Sequence, residues 1–470
     1  MTRSPAEPKP VPVRRYRYSK LKWRLLVHAL DAVGTVGMRF WRGVRPTRRV
    51  ESPKRILVVQ LDHLGDAVLT SPLLARLRTA YPEASIDVLA SPSNIEVFAA
   101  DPNVDHVRLA ARNWFARRRR HWALGTAVWE LTRRLRGAGY DLGIDVRGDV
   151  LTVLVLALAG IPRRVGWAMG GGGFLLTDIA PWVPGRHEVE SRLALLEQLG
   201  LRHDEPARVM VHATDPDRSL VGQWLRDAWS DAESIESESE SVDEARAVGL
   251  SRLRARRASH LGGRVKTLTL PRDATPSSPM ASAWGDEGDW LHAGRFGSEA
   301  PLLAVHLGAG MAAKRWPPEH WQSLLTRFLE DGWRVIVVGG REDSAVARTM
   351  PRHPNLRDWT GRLSVPQTAA FLERADLFIG SDSGPAHLAA CAGITSVVLF
   401  SGTNRPGQWR PWSRRSLVLR HHVACRPCHQ KVCPLADHPC MTELKPERVY
   451  REARRWWARM HREESPHAPL

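Results

Sequence analysis

The sequence has no run of about 18 apolar residues, the least a bilayer-spanning helix needs, so a membrane span is not expected. It shows no secretory leader either. The basic N-terminus runs into an apolar stretch near residues 25–38 that His28 and Asp31 interrupt, and no clear cleavage site follows. Cysteine is scarce, five in 470 residues. That excludes a disulfide-built scaffold and makes a reducing cytoplasm the expected compartment. The Gly-Lys-Ser/Thr end of a P-loop is missing. Acidic residues are short, 50 against 68 Lys and Arg, which leaves a formal net charge of +18. Such a surplus calls for an anionic partner: nucleic acid, anionic lipid or a phosphorylated substrate. The basic residues are scattered over arms and loops and no nucleic-acid reader motif accompanies them, so nucleic acid is not expected as the partner.

A chain of 470 residues exceeds what one core supports, and 43% apolar content is enough for two. Residues 1–50 read as a basic arm. Its first 15 residues are Pro- and Arg-rich and expected to be disordered. Residues 16–44 mix Leu21, Trp23, Leu25, Leu26, Val27 and Leu30 with Arg17, Lys20, Lys22 and Arg24. Such a helix either lies on an anionic membrane surface or docks on its own domain. Residues 51–212 form the first domain. The apolar run Ile56-Leu57-Val58-Val59 reads as a buried parallel strand. A turn at 62–66 and a helix burying Val68, Leu69, Leu73, Leu74 and Leu77 follow it. Further strands are expected at 86–89, 142–146 and 209–211. Residues 213–300 break the alternation with a Ser/Glu tract at 230–244 and read as a linker or insertion. Residues 301–455 resume it, with strands at 302–307, 335–338, 377–379 and 396–400, and 456–470 form a tail. The fold class is therefore α/β, with two doubly wound, Rossmann-like domains.

Three segments carry candidate chemistry. In Gly380-Ser381-Asp382-Ser383-Gly384-Pro385-Ala386-His387 a buried strand meets an Ala-rich helix. Ser383 is placed to cap that helix, Gly384 lets a ligand approach the backbone, and Pro385 suits its first turn. Free N–H groups at such a terminus favour a diphosphate, with His387 one turn in. In His306-Leu307-Gly308-Ala309-Gly310, running on to Lys314, small residues leave room after a strand. Lys314 adds a point charge that would stabilise a departing diphosphate. Asp66 begins a helix at the mouth of the first sheet, where a carboxylate can take a proton from a hydroxyl, with Asp62 a weaker candidate. Each has a plainer reading: a strand-to-helix turn, a solvated lysine, a helix-start charge.

Taken together, the stretch 55–66 running on to Thr70-Ser71-Pro72-Leu73, the 308–317 loop, 381–388 and the loop 403–412 resemble glycosyltransferase family 9, over roughly 56–212 and 302–455. That resemblance implies a GT-B architecture and an inverting transfer from an ADP-sugar, by family precedent ADP-heptose, to a lipopolysaccharide inner core. It implies Asp66 as general base, Lys314 as the donor-phosphate lysine, and Asp382, Ser383, Gly384 and His387 as the donor loop. Glu342, or Asp343 in its place, would meet the nucleoside. Ala309 and Gly310 stand where some members carry hydroxyls, so backbone N–H groups would substitute. Arg117, Arg118, Arg119 and Arg120, flanked by aromatic residues, would meet the anionic acceptor. The scheme requires no metal cofactor, and it places the protein peripherally on the cytoplasmic face of an inner membrane.

Cys425, Cys428, Cys433 and Cys440 form a C-x2-C-x4-C-x6-C cluster, a spacing able to hold a structural zinc. Reduced thiols or disulfides are the alternatives. Cys391 reads as a core residue.

Overall fold

The structure is a computed structural model, and it describes residues 21–44, 50–110, 122–202, 206–230, 268–269 and 300–464. Two sheets organise it. The first contains β1 (Arg55–Gln60), β2 (Ser85–Ala90), β3 (His106–Leu109), β4 (Leu142–Asp145), β5 (Arg163–Gly166), β6 (Asp178–Ile179) and β7 (Leu268–Thr269), in the order β6-β5-β4-β1-β2-β3-β7. All neighbours are parallel except β7, which lies antiparallel to β3. The second contains β8 (Leu302–His306), β9 (Arg334–Val338), β10 (Leu356–Asp358), β11 (Leu377–Ser381), β12 (Thr395–Leu399) and β13 (Ser416–Leu419). Its order is β10-β9-β8-β11-β12-β13, parallel throughout.

The apolar runs account for the sheets. Ile56, Leu57, Val58 and Val59 are all fully or nearly fully buried, because helices cover both faces of a parallel sheet. The helix Pro318–Glu330 buries Trp321, Leu324, Leu325, Phe328 and Leu329, an i, i+3, i+4, i+7, i+8 stripe. One apolar cluster runs from the first sheet into the second, joining Val58 and Leu195 to Val398 and Phe400.

Two expectations are corrected. Residues 209–211 pair with no strand. Val209 and Val211 are buried, but the segment is tied down by Met210 N–H donating to Ser71 Oγ at 2.8 Å. The stretch 213–300 is not all linker: its first part is a 16-residue helix, Asp215–Ser230. That helix lies against the Val365–Leu372 helix of the second domain, and Arg218 reaches both carboxylate oxygens of Glu373 at 2.9 and 3.1 Å. A two-residue strand, β7, follows later. The rest of the Ser/Glu tract, and the expected disorder of residues 1–15, fall outside the described residues.

In each sheet the strand order reverses once, between β1 and β4 and between β8 and β11. In doubly wound sheets, ligands bind outside the carboxyl ends of the strands at such a point. Both points lie on the same cleft.

Candidate functional site

An ion pair ties together the two loops that leave each reversal point. In the second domain, Lys314 ends the short 3-10 turn Ala312–Lys314 after β8, and Asp382 follows β11. Lys314 Nζ lies 2.6 Å from Asp382 Oδ2 and donates to the Asp382 carbonyl at 3.2 Å. Asn404 Nδ2 donates to the same carboxylate at 2.9 Å. A carboxylate facing a diphosphate would repel it, so Asp382 serves to hold the lysine.

Ser383 starts the helix Gly384–Cys391 but does not cap it. Its Oγ donates to the Ser381 carbonyl at 3.0 Å and lies 3.0 Å from His306 Nδ1. His306 Nε2 in turn lies 3.3 Å from Asp343 Oδ2. Burial pushes the Asp343 carboxyl up, but the hydrogen bond and charge of His306 outweigh it and leave it below the usual carboxylate range. Ser383 thus leaves the N–H groups of the helix terminus uncapped and available to an anion. Asp343 is thereby committed inward, whereas Glu342 is exposed at the rim with its carboxylate folded over Gly340. Ala309 is buried, its carbonyl accepting from Arg315 Nε at 3.2 Å, and Gly310 is exposed beside it.

In the first domain, Asp62 after β1 is buried and pairs with Arg147 after β4, which removes it as a rival proton acceptor. Asp66 sits within the five-residue helix Leu64–Val68, its side chain 17% exposed. Arg192 Nη2, on the helix Glu188–Glu197, donates to Asp66 Oδ1 at 3.1 Å. The same guanidinium donates to Glu188 Oε2 at 2.8 Å and Thr70 Oγ1 at 3.0 Å, and its side chain is only 2% exposed. Arg192 fixes where the Asp66 carboxylate points.

The two halves touch. A Cβ built on Gly65 would stand 2.8 Å from Cδ2 of His387, and one on Gly384 would stand 2.6 Å from Cδ2 of Leu64. Only glycine lets the two helix starts approach so closely. His387 is buried at this junction, and its Nδ1 has no hydrogen-bond partner. Burial holds its imidazole down at about 4, against the pull of Asp382 and Asp66, so the ring is neutral at physiological pH. The charges of Asp66, Arg192, Lys314 and Asp382 all reach it. Further contacts clamp the domains. His187 Nε2 donates to the Arg410 carbonyl at 2.9 Å while its Nδ1 accepts from Val189 N–H. Gln408 Nε2 donates to Glu188 Oε1 at 2.8 Å, and Trp412 Nε1 donates to the Ala207 carbonyl at 2.8 Å.

Cys425, Cys428, Cys433 and Cys440 line one cavity of about 120 Å³ with Ala313 and Thr403, and all four are free thiols. Among the described residues, no three His, Cys, Asp or Glu side chains are grouped to hold a metal ion. The segment brings its four thiols together on that one cavity. What it does is brace the loops that follow β8 and β12. His438 Nε2 donates to the Ala313 carbonyl at 3.1 Å, and Cys428 N–H donates to the Gly402 carbonyl at 2.9 Å. Cys391 closes its helix half-buried, and burial raises its thiol well above the usual range. Arg117, Arg118, Arg119 and Arg120 lie outside the described residues.

The sequence reading missed Arg192, Glu188, Asn404 and the role of His306. Glu188 and Arg192 carried one visible sign, an i, i+4 acid–base spacing on one helix. Nothing local linked either of them to Asp66.

Two doubly wound sheets facing across a cleft, each with a charged pair at its reversal point, define a GT-B type of molecule. The family model described as Glycosyltransferase family 9 (heptosyltransferase) matches residues 276–438. Lipooligosaccharide heptosyltransferase 2 of Campylobacter jejuni is 29% identical over 160 residues, which is 33% of this chain and 50% of that protein. The chain thus matches about half the length of that relative. Lipopolysaccharide heptosyltransferase 1 of Pseudomonas aeruginosa is 27% identical over 84% of this chain and 96% of its own length. The solved ADP-heptose lipopolysaccharide heptosyltransferase II of Escherichia coli superposes with a TM-score of 0.59 at 19% identity, covering 87% of this chain and 99% of that one. The chain is thus similar to glycosyltransferase family 9, through its second domain in the family model and over most of its length in the Pseudomonas relative.

Proposed function

We propose that this protein is an inverting glycosyltransferase that moves heptose from ADP-heptose to a hydroxyl of a lipopolysaccharide inner-core acceptor. One observation carries the reading. A carboxylate held by Arg192 and a lysine held by Asp382 come from different domains and converge on the buried His387. That is a proton acceptor facing a leaving-group site. The relatives named above bring in the heptose and the lipopolysaccharide acceptor.

In the proposed step, Asp66 takes the proton of the acceptor hydroxyl as its oxygen attacks the anomeric carbon from the face opposite the diphosphate. The anomeric carbon–oxygen bond breaks, and its electron pair leaves on the diphosphate. The charge that develops there is met by Lys314 and the N-terminus of the Gly384–Cys391 helix, both positioned before reaction begins. All the positive charge comes from the chain itself. Glu342 at the rim is offered to the nucleoside, and Arg117–Arg120 to the acidic inner core. The acceptor is lipid-linked, so the reaction is placed at the cytoplasmic face of an inner membrane. Among the described residues no helix is long and apolar enough to cross one.

A thermal-shift screen of nucleotides tests this reading. ADP and ADP-sugars raise the melting temperature, and UDP or GDP do not. No response to any nucleotide contradicts it.

A further inference from the structure

The helix Leu21–Val44 is two-faced. One face is seated on the first domain. Val27 is buried against Gly171, where an added Cβ would stand 2.5 Å from Cγ1 of Val27, and Gly34 packs as closely on the Phe174 ring. Gly172 N–H donates to Asp31 Oδ1 at 2.8 Å, so the helix's one acidic side chain is turned into the protein. Among the described residues, nothing covers the opposite face. At 3.6 residues per turn, Leu25, Ala29, Val33, Val36 and Phe40 fall within an arc of about 80°, diametrically across from Val27, Asp31, Gly34 and Met38. Val33, Val36 and Phe40 are 74%, 71% and 78% exposed. Ten large hydrophobic residues are exposed among the described residues, and five of them (Leu25, Leu30, Val33, Val36, Phe40) are on this helix. An apolar row of that extent on an otherwise ordinary surface marks a place where something binds.

Charge identifies the occupant. Residues 1–49 contain thirteen Lys and Arg against two acidic residues, so this tenth of the chain carries +11 of the net +18. A basic segment with an apolar stripe suits an anionic bilayer surface, where the stripe enters the headgroup boundary and the cations meet lipid phosphates. The helix is too charged to span.

We propose that the helix Leu21–Val44 docks the protein on anionic lipid through the Leu25, Val33, Val36 and Phe40 face. The position of its seat gives this a purpose, which rests on the acceptor assignment above. The glycine loop under the helix packs at Gly170 on the Gly148 carbonyl, next to Arg147, which pairs with Asp62 at the mouth of the acceptor half. A bilayer under the helix therefore lies beside the acceptor mouth, on the first-domain side of the cleft.

The test is flotation of the full-length protein with vesicles of phosphatidylcholine alone or mixed with phosphatidylglycerol. The wild type floats with the mixed vesicles, far less with phosphatidylcholine, and is released by high salt. The triple variant Val33→Asp, Val36→Asp, Phe40→Asp lowers flotation about tenfold or more while its melting temperature and ADP response stay at wild-type values. Those positions are exposed, so folding is spared, and the readout needs no transferase activity. Three results overturn the proposal. They are no flotation of the wild type, flotation indifferent to the triple variant or to lipid charge, and a wild-type dimer in sedimentation that the triple variant dissolves without any vesicle binding.

Discussion

The two halves of the site are built by different means. The proposed donor half is made from neighbours in sequence: a strand end, small residues, and a helix terminus that Ser383 leaves uncapped. Its one long side chain, Lys314, is pinned by Asp382 on the adjacent loop. The proposed acceptor half is made from side chains that the fold collects. Asp66 is aimed by Arg192, which lies 126 residues away and is itself held by Glu188 and Thr70. Backbone and short spacing can therefore build an anion site, whereas orienting a single carboxylate takes a buried network.

That contrast yields tests of decreasing size. Asp66→Asn should lower turnover by about 10²–10⁴, with donor affinity intact, because it removes only the proton acceptor. Steady-state rates at saturating donor measure this. Lys314→Met should lower kcat by roughly 10²–10³ and also weaken ADP binding, since one charge serves both bound and departing diphosphate. If the two variants had the same donor affinity, the division between halves would fail. Arg192→Met leaves the buried Glu188 and the part-buried Asp66 without their cation, with only the Gln408 amide still donating to Glu188. It should cost about 3–5 kcal/mol of stability, seen as a melting temperature lower by roughly 10 °C. An unchanged melting temperature would mean that the network is decorative. Gly65→Ala should cost about 1–3 kcal/mol by pushing His387 and the two helix starts apart. It should also weaken ADP binding modestly, because the closed junction is spoiled.

The smallest effect is in pH. Burial lowers His187 to about 4 from its ordinary 6.5. A folded-state value below the unfolded one means that the unfolded chain takes up the proton first. The stability His187 contributes is present above about 6.5 and is lost as pH falls toward 4, at up to about 1.4 kcal/mol per pH unit. His187→Asn keeps a helix cap and does not titrate, so its melting temperature should fall less than that of the wild type between pH 7 and 5. Parallel curves would sever His187 from acid sensitivity.

This difference in construction also decides what was legible in the sequence. The strands at 56–59, 302–306 and 335–338 were readable because residues buried on both faces form unbroken apolar runs. Lys314, Ser383, Gly384 and His387 could be picked out as candidates because each follows closely on a strand end. Residues 209–211 looked like a strand because burial alone makes an apolar run, and no local feature says that their pairing edge is absent. The helix Asp215–Ser230 was hidden by the Ser/Glu tract that follows it. Ser383 matched a capping residue by position, but His306 competes for its hydroxyl from a strand 77 residues away. Arg192 could be seen only once the fold had placed it beside Asp66. The N-terminal helix shows the same limit. Its amphipathic composition was plain, but only the structure shows which face is seated on the first domain and which face the described residues leave exposed.

The division of labour between the halves is tested most directly by titrating ADP-heptose into Asp66→Asn and Lys314→Met side by side in a calorimeter. The account predicts wild-type affinity for Asp66→Asn, with no heptose transferred, and weakened binding for Lys314→Met. Loss of donor binding in Asp66→Asn, or wild-type binding in Lys314→Met, would contradict it.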